Sequence, residues 1–159
     1  ENHDTVSSAL DYLCAVPRLG RNNLILADAS GHLAVLEGGH SRYGLFESQS
    51  GALVNTNHFV SDEMRGYHAK VDPPEARGRS TGRYDMASRA LADAHGQIDV
   101  SFAQALAATH AGPLGSICCH PDAGSKSTTI SAAIFLPRQR QMLFCHGLPC
   151  QGHFDRFSV

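Results

Sequence analysis

The pairing that most constrains the fold is Leu24-Ile25-Leu26-Ala27 with Leu33-Ala34-Val35-Leu36, two apolar runs separated by Asp28-Ala29-Ser30-Gly31-His32. Gly31 can take the positive φ that a tight turn demands, so the two runs are expected to form a β-hairpin. Residues 43–46 and 52–54 add two more apolar runs around Ser48-Gln49-Ser50-Gly51, again a turn composition. The hairpin is therefore expected to extend to a four-stranded meander whose last strand runs directly into Asn55-Thr56-Asn57-His58.

Helical patterns lie on either side. Val6, Ala9, Leu10 and Leu13 recur at helical spacing after Asp4, the expected N-cap, and the pattern stops at Pro17 and Gly20. Residues 61–82 have no periodicity and contain Pro73-Pro74 with several charges, which makes them an expected loop over a pocket. A helix is expected over 84–95, capped by Ser80 or Thr81, with Met86, Ala90, Leu91 and Ala94 on a close-packing face. Ser101-Phe102-Ala103-Gln104 has the form of a capping box and opens another helix, ended by Gly112 and Pro113. Strands return at 116–118, 128–136 and 141–146, the last two joined through Pro137-Arg138-Gln139-Arg140. Regular βαβ alternation is missing, so the expected class is α+β with antiparallel sheets, in one domain over residues 1–159.

Composition acts as a filter. A chain of 159 residues, 42% hydrophobic, can bury a core, which excludes wholesale disorder. Thirteen Lys plus Arg against fifteen Asp plus Glu leave a formal charge of -2, and the basic residues form no stripe, so no nucleic-acid partner is expected. The longest apolar runs, such as 130–136, are too short to span a bilayer, and the start Glu1-Asn2-His3-Asp4 lacks a signal sequence, so no membrane partner is expected either. Cys14, Cys118, Cys119, Cys145 and Cys150 are odd in number and irregular in spacing, which argues against a disulfide framework and for a reducing, cytoplasmic compartment. Glu1, followed almost at once by a helical pattern, reads as a processing or other boundary within something longer. Nucleotide binding and glycosidase chemistry drop out, since there is no phosphate loop and no close carboxylate pair.

Four local segments say more. Asn23-Leu24-Ile25-Leu26-Ala27-Asp28-Ala29-Ser30-Gly31 with Ala34-Val35-Leu36-Glu37, then Leu53-Val54-Asn55-Thr56-Asn57-His58-Phe59, then Ser80-Thr81-Gly82-Arg83, then Gly115-Ser116-Ile117-Cys118 follow one another in order. Together with the closing hairpin through Phe135-Leu136-Pro137-Arg138, this series resembles the C-terminal half of the isopenicillin N acyltransferase-like family of cysteine N-terminal-nucleophile (Ntn) hydrolases. Two positions depart from the pattern: Asn55 stands where the family often has His, and Cys119 where Arg is common. They leave the acyl substrate open.

The resemblance implies an αββα four-layer sandwich in which a precursor cleaves itself to expose a cysteine, whose α-amino group acts as base. No residue of this chain occupies that position, so this chain alone is expected to be inactive and to need the missing N-terminal half as partner. It implies Asn57 as the oxyanion donor, an amide that donates without titrating. His58, Arg83 and Lys126 are the implied substrate-binding residues, with a small acylated amine as substrate. No metal and no cofactor are expected. Left with open sheet edges, the chain is expected to self-associate.

Other readings compete. Asn57 suits a strand end, where it can satisfy backbone groups, and His58 suits a half-buried structural imidazole. Cys118 and Cys145 fall in apolar runs and read as small hydrophobes. A non-enzymatic β-rich binding module on the same scaffold is the alternative function. A third is a zinc protein built on Cys118, Cys119, His120, Cys145, His146, Cys150 and His153, although CxxC spacing is lacking.

Overall fold

A computed structural model describes residues 2–48, 51–68, 74–121 and 127–159. They divide into two compact units, Glu1–Arg77 and Gly78–Val159. Each unit contains a three-stranded antiparallel sheet, which makes the chain a mixed helix-and-sheet, α+β protein.

In the first unit, β1 (Asn22–Ala27), β2 (Leu33–Gly38) and β3 (Tyr43–Glu47) form a meander in that order. Leu24 lies opposite Leu36, and Leu36 opposite Leu45. Successive side chains of a strand point to opposite faces, so β2 presents Ala34 and Leu36 one way and Val35 and Glu37 the other. Helix α1 (Val6–Ala15) covers the first face, with Val6 and Leu10, one turn apart, buried against Ala34 and Leu36. Burial of each of Val6, Leu10 and Leu36 contributes about 1.5–3 kcal/mol.

Asp28 joins helix to hairpin. Its Oδ2 accepts the Val6 backbone N–H at 3.0 Å, while Oδ1 accepts Ser30 N–H at 2.9 Å and Ser30 Oγ at 2.5 Å. These donors favour the ionised form, and the hydrogen bond from the Ser30 hydroxyl leads in lowering the Asp28 pKa to about 2. The expected N-cap, Asp4, gives way to Thr5, whose hydroxyl accepts Ser8 N–H. The fourth strand of the meander does not form: residues 52–56 carry no strand.

The span 61–82, expected as a loop, instead contains the single turn α2 (Arg65–His68) and the beginning of α3 (Pro74–Asp93). Pro74 suits a first helical position, where a missing N–H costs nothing. Ser80 and Thr81 accordingly lie inside α3 rather than capping it, and Ser80 is buried.

In the second unit, α4 (Val100–Ala107) is capped by Asp99, which accepts Phe102 N–H at 2.7 Å, in place of the expected Ser101. After the single turn α5 (Gly112–Gly115) comes a sheet of β4 (Ser131–Leu136), β5 (Gln141–His146) and β6 (Phe154–Ser158). Residues 116–118, expected as a strand, are irregular, and the strand expected from 128 begins at Ser131. The turn at Pro137–Gln139 is a short 3₁₀ helix closed by Arg140 at φ 52°. Among the described residues no helix is long and apolar enough to cross a membrane.

Candidate active site

Glu37 on β2 organises residues 55–61, a stretch without a strand. Glu37 is fully buried, and its carboxylate meets a row of donors from residues 55–61. Oε1 accepts Val60 N–H at 2.6 Å, and Oε2 accepts Ser61 N–H at 3.0 Å and Ser61 Oγ at 2.7 Å. Asn55 Nδ2 lies 3.5 Å from Oε1. A buried carboxylate is tolerated only when its lone pairs are filled, and here the loop fills them.

Gly44 makes room for this arrangement. It sits opposite Glu37 in the β2–β3 register, and a Cβ at that position would collide with the Ser61 side chain. From the neighbouring strand, Asn23 Nδ2 donates to Thr56 O at 2.6 Å and to His58 O at 3.2 Å. One side-chain amide thus holds the carbonyls on both sides of Asn57. His58 is half-buried with its Nδ1 3.0 Å from Thr56 Oγ1, whereas Asn57 itself is exposed.

The strand expected ahead of Asn57 does not form, and the chain around Asn57 is held by side chains instead. Val60 and Ser61 N–H bond to a carboxylate, a stronger acceptor than the carbonyl of a ladder partner. Chemically, the result is an amide-bearing residue at the solvent surface, on a backbone fixed from two sides.

The segments flanking this loop are those of a known sequence family. A family model for acyl-coenzyme A:6-aminopenicillanic acid acyl-transferase matches residues 1–151. The chain belongs to that acyltransferase family. No curated protein matches it.

Asn57 and His58, two of the residues expected from the acyltransferase resemblance, are neighbours on the clamped loop. Arg83 belongs to the second unit, half-buried in the interior of α3 rather than at a helix start. Lys126 lies outside the described residues. Glu37 and Asn23 both fall within the segments that carry the resemblance, which implies no role for either. A charged residue ending an apolar strand run was the available signal for Glu37, since burying it demands partners.

The first unit also has an open cleft of about 340 Å³, lined by Leu13, Pro17, Leu19, Leu24 and Leu36 together with Arg18. Arg18 donates to the carbonyls of Leu13 and Gly39 and lies over the Tyr43 ring. Its charge is spent on the C-terminal end of α1, which suits a cation.

Proposed function

We propose that this chain is the C-terminal portion of a cysteine amidohydrolase or acyltransferase that moves an acyl group from an amide or thioester through a cysteine located elsewhere in the protein. The observation that carries this reading is the loop clamped by Glu37 and Asn23 around Asn57. In the proposed reaction the cysteine sulfur attacks the acyl carbon, its proton passes to the cysteine's own α-amino group, and the carbonyl oxygen becomes an oxyanion. A free α-amino group, with a pKa of roughly 8, suits this base role. Asn57 donates its amide N–H to the oxyanion, an interaction worth about 3–4 kcal/mol of barrier. Collapse forms an acyl-thioester, the proton goes to the departing amine or thiol, and water or a second amine then takes the acyl group.

In this reading the two sheets are parts of an αββα sandwich, and His58, Arg83 and Lys126 contact a small acylated amine. Exposed Ile25 and Leu45 in the first unit and Phe135 and Phe157 in the second support further covering chain, because large apolar side chains on sheets are usually packed. The test is acylation of the whole protein by an acylated amine or acyl-coenzyme A, followed by peptide mass spectrometry. An acyl-thioester on a new N-terminal cysteine outside residues 1–159 is expected. An adduct on Cys14, Cys118, Cys119, Cys145 or Cys150, or none at all, defeats the proposal.

A further inference from the structure

Four side chains of the second unit converge on one point. One ligand atom from each of His110, Cys118, His120 and Cys150 lies within 4.8 Å of all the others. Cys118 Sγ and Cys150 Sγ are 3.6 Å apart, and His120 Nε2 is 3.2 Å from Cys150 Sγ and 3.8 Å from Cys118 Sγ. Metal–sulfur bonds of about 2.3 Å and metal–nitrogen bonds of about 2.0–2.1 Å set the edges of a tetrahedral site: roughly 3.8 Å between sulfurs and roughly 3.6 Å between sulfur and nitrogen. The three observed separations fall within about half an ångström of those edges. The His110 and His120 rings stand 4.9 Å apart at 73°, edge to face, so they can approach a shared centre without stacking.

The backbone fixes this convergence. Thr109 O accepts both Ile117 N–H and Cys118 N–H at 3.1 Å, which brings the segment after α4 alongside the one after α5. Thr129 N–H donates to Cys119 O at 3.0 Å, and Thr129 Oγ1 accepts Cys119 N–H at 2.9 Å, tying the same segment to the approach to β4. Cys150 comes from the β5–β6 turn, held by Gln151 N–H and Gly152 N–H donating to Leu148 O. Three of the other candidates have partners elsewhere: Cys119 Sγ is directed at Ser116 O, Cys145 is buried with its Sγ directed at His146 O, and exposed His153 pairs with Asp155.

We propose that His110, Cys118, His120 and Cys150 form a structural zinc site. Two thiolates and two imidazoles in tetrahedral array select zinc over hard cations such as magnesium and calcium. Four protein ligands leave no open coordination position, which makes the role structural: the metal cross-links the α4 exit, the 118–120 segment and the β5–β6 turn. Cys118 is buried and His110 is exposed.

The test uses the intact chain, purified under reducing conditions, stripped with a chelator and titrated with cobalt(II) and then zinc(II). One equivalent of cobalt should give the visible bands of a tetrahedral ion with thiolate charge transfer in the near ultraviolet, and zinc should bleach them. His110→Ala, chosen because its site is exposed and tolerant, and Cys150→Ser should both lose that spectrum and the stoichiometric zinc found by elemental analysis. Cys14→Ser and Cys119→Ser should keep both. Substoichiometric or octahedral cobalt, zinc retained equally by all four variants, or a Cys118–Cys150 disulfide in the reduced preparation would overturn the proposal.

Discussion

Replacing Glu37 by Gln probes the centre of the first unit with almost no change of shape. The carboxylate accepts Val60 N–H and Ser61 N–H on different oxygens, so an amide NH₂ in either orientation faces one backbone donor. If the remaining oxygen serves Val60, the NH₂ opposes Ser61 N–H. Turned the other way, it opposes Val60 N–H. One buried donor is orphaned in both cases, at a cost of about 1–3 kcal/mol. Because Glu37 is fully buried, water cannot replace the lost acceptor without opening the loop. That local opening speeds amide exchange at Val60 and Ser61 by roughly 5- to 150-fold, the same energy expressed as a population. Hydrogen exchange followed by NMR reads both positions, and urea unfolding followed by circular dichroism reads the overall loss. A variant within about 0.3 kcal/mol of the parent, with unchanged exchange at both amides, would refute the argument that the carboxylate holds the loop.

Four other substitutions probe the same structure. Asn23→Ala removes the donor shared by Thr56 O and His58 O and should cost about 1–2 kcal/mol of stability in chemical denaturation, with a matching rise in loop exchange. Asp28 has a folded pKa of about 2 against an ordinary 3.8, so its contribution is fully present above the ordinary value and is lost as pH falls towards 2; Asp28→Asn should melt lower than the parent at pH 6 but close to it near pH 2. Gly82→Ala places a Cβ 2.5 Å from Leu114 O, a backbone clash worth about 1–3 kcal/mol that exceeds the gain of about 1 kcal/mol from helix propensity, whereas Gly78→Ala meets only Leu114 Cδ2 at 3.7 Å and should stabilise. Thermal melts of those two glycine variants should shift in opposite directions.

Strands that coincide with apolar runs bounded by turn residues are legible in the sequence. The first hairpin and its third strand lie where the apolar runs predicted, and β5 has the predicted bounds Gln141–His146. β6 was missed because Asp155, Arg156 and Ser158 interrupt its apolar character, as expected of an exposed edge strand. The apolar run at 52–54 predicts a strand, and the structure shows none there. α3 begins well before its predicted start: Arg77, Gly78, Arg79 and Ser80 supply no apolar period, so periodicity does not mark them as helical.

The site was legible to a different depth in each unit. Resemblance led to Asn57 and His58, while the residues that hold them, Glu37 and Asn23, required the β1–β2–β3 register to be seen. Three of the four residues of the Cys/His cluster, Cys118, His120 and Cys150, belong to the zinc set legible in the sequence, and His110 does not. Cys118 and Cys150 are 32 residues apart, and spacing rules for zinc motifs do not register ligands brought together by a turn between later strands.

The proposed role of Asn57 as donor to a developing oxyanion is tested most directly by single-turnover acylation of the whole protein. Asn57→Ala should slow formation of the acyl-thioester by about 10²–10³-fold, while the same cysteine's alkylation by iodoacetamide, which develops no oxyanion, keeps its rate. Acylation at an unchanged rate, or an equal fall in both reactions, would contradict it.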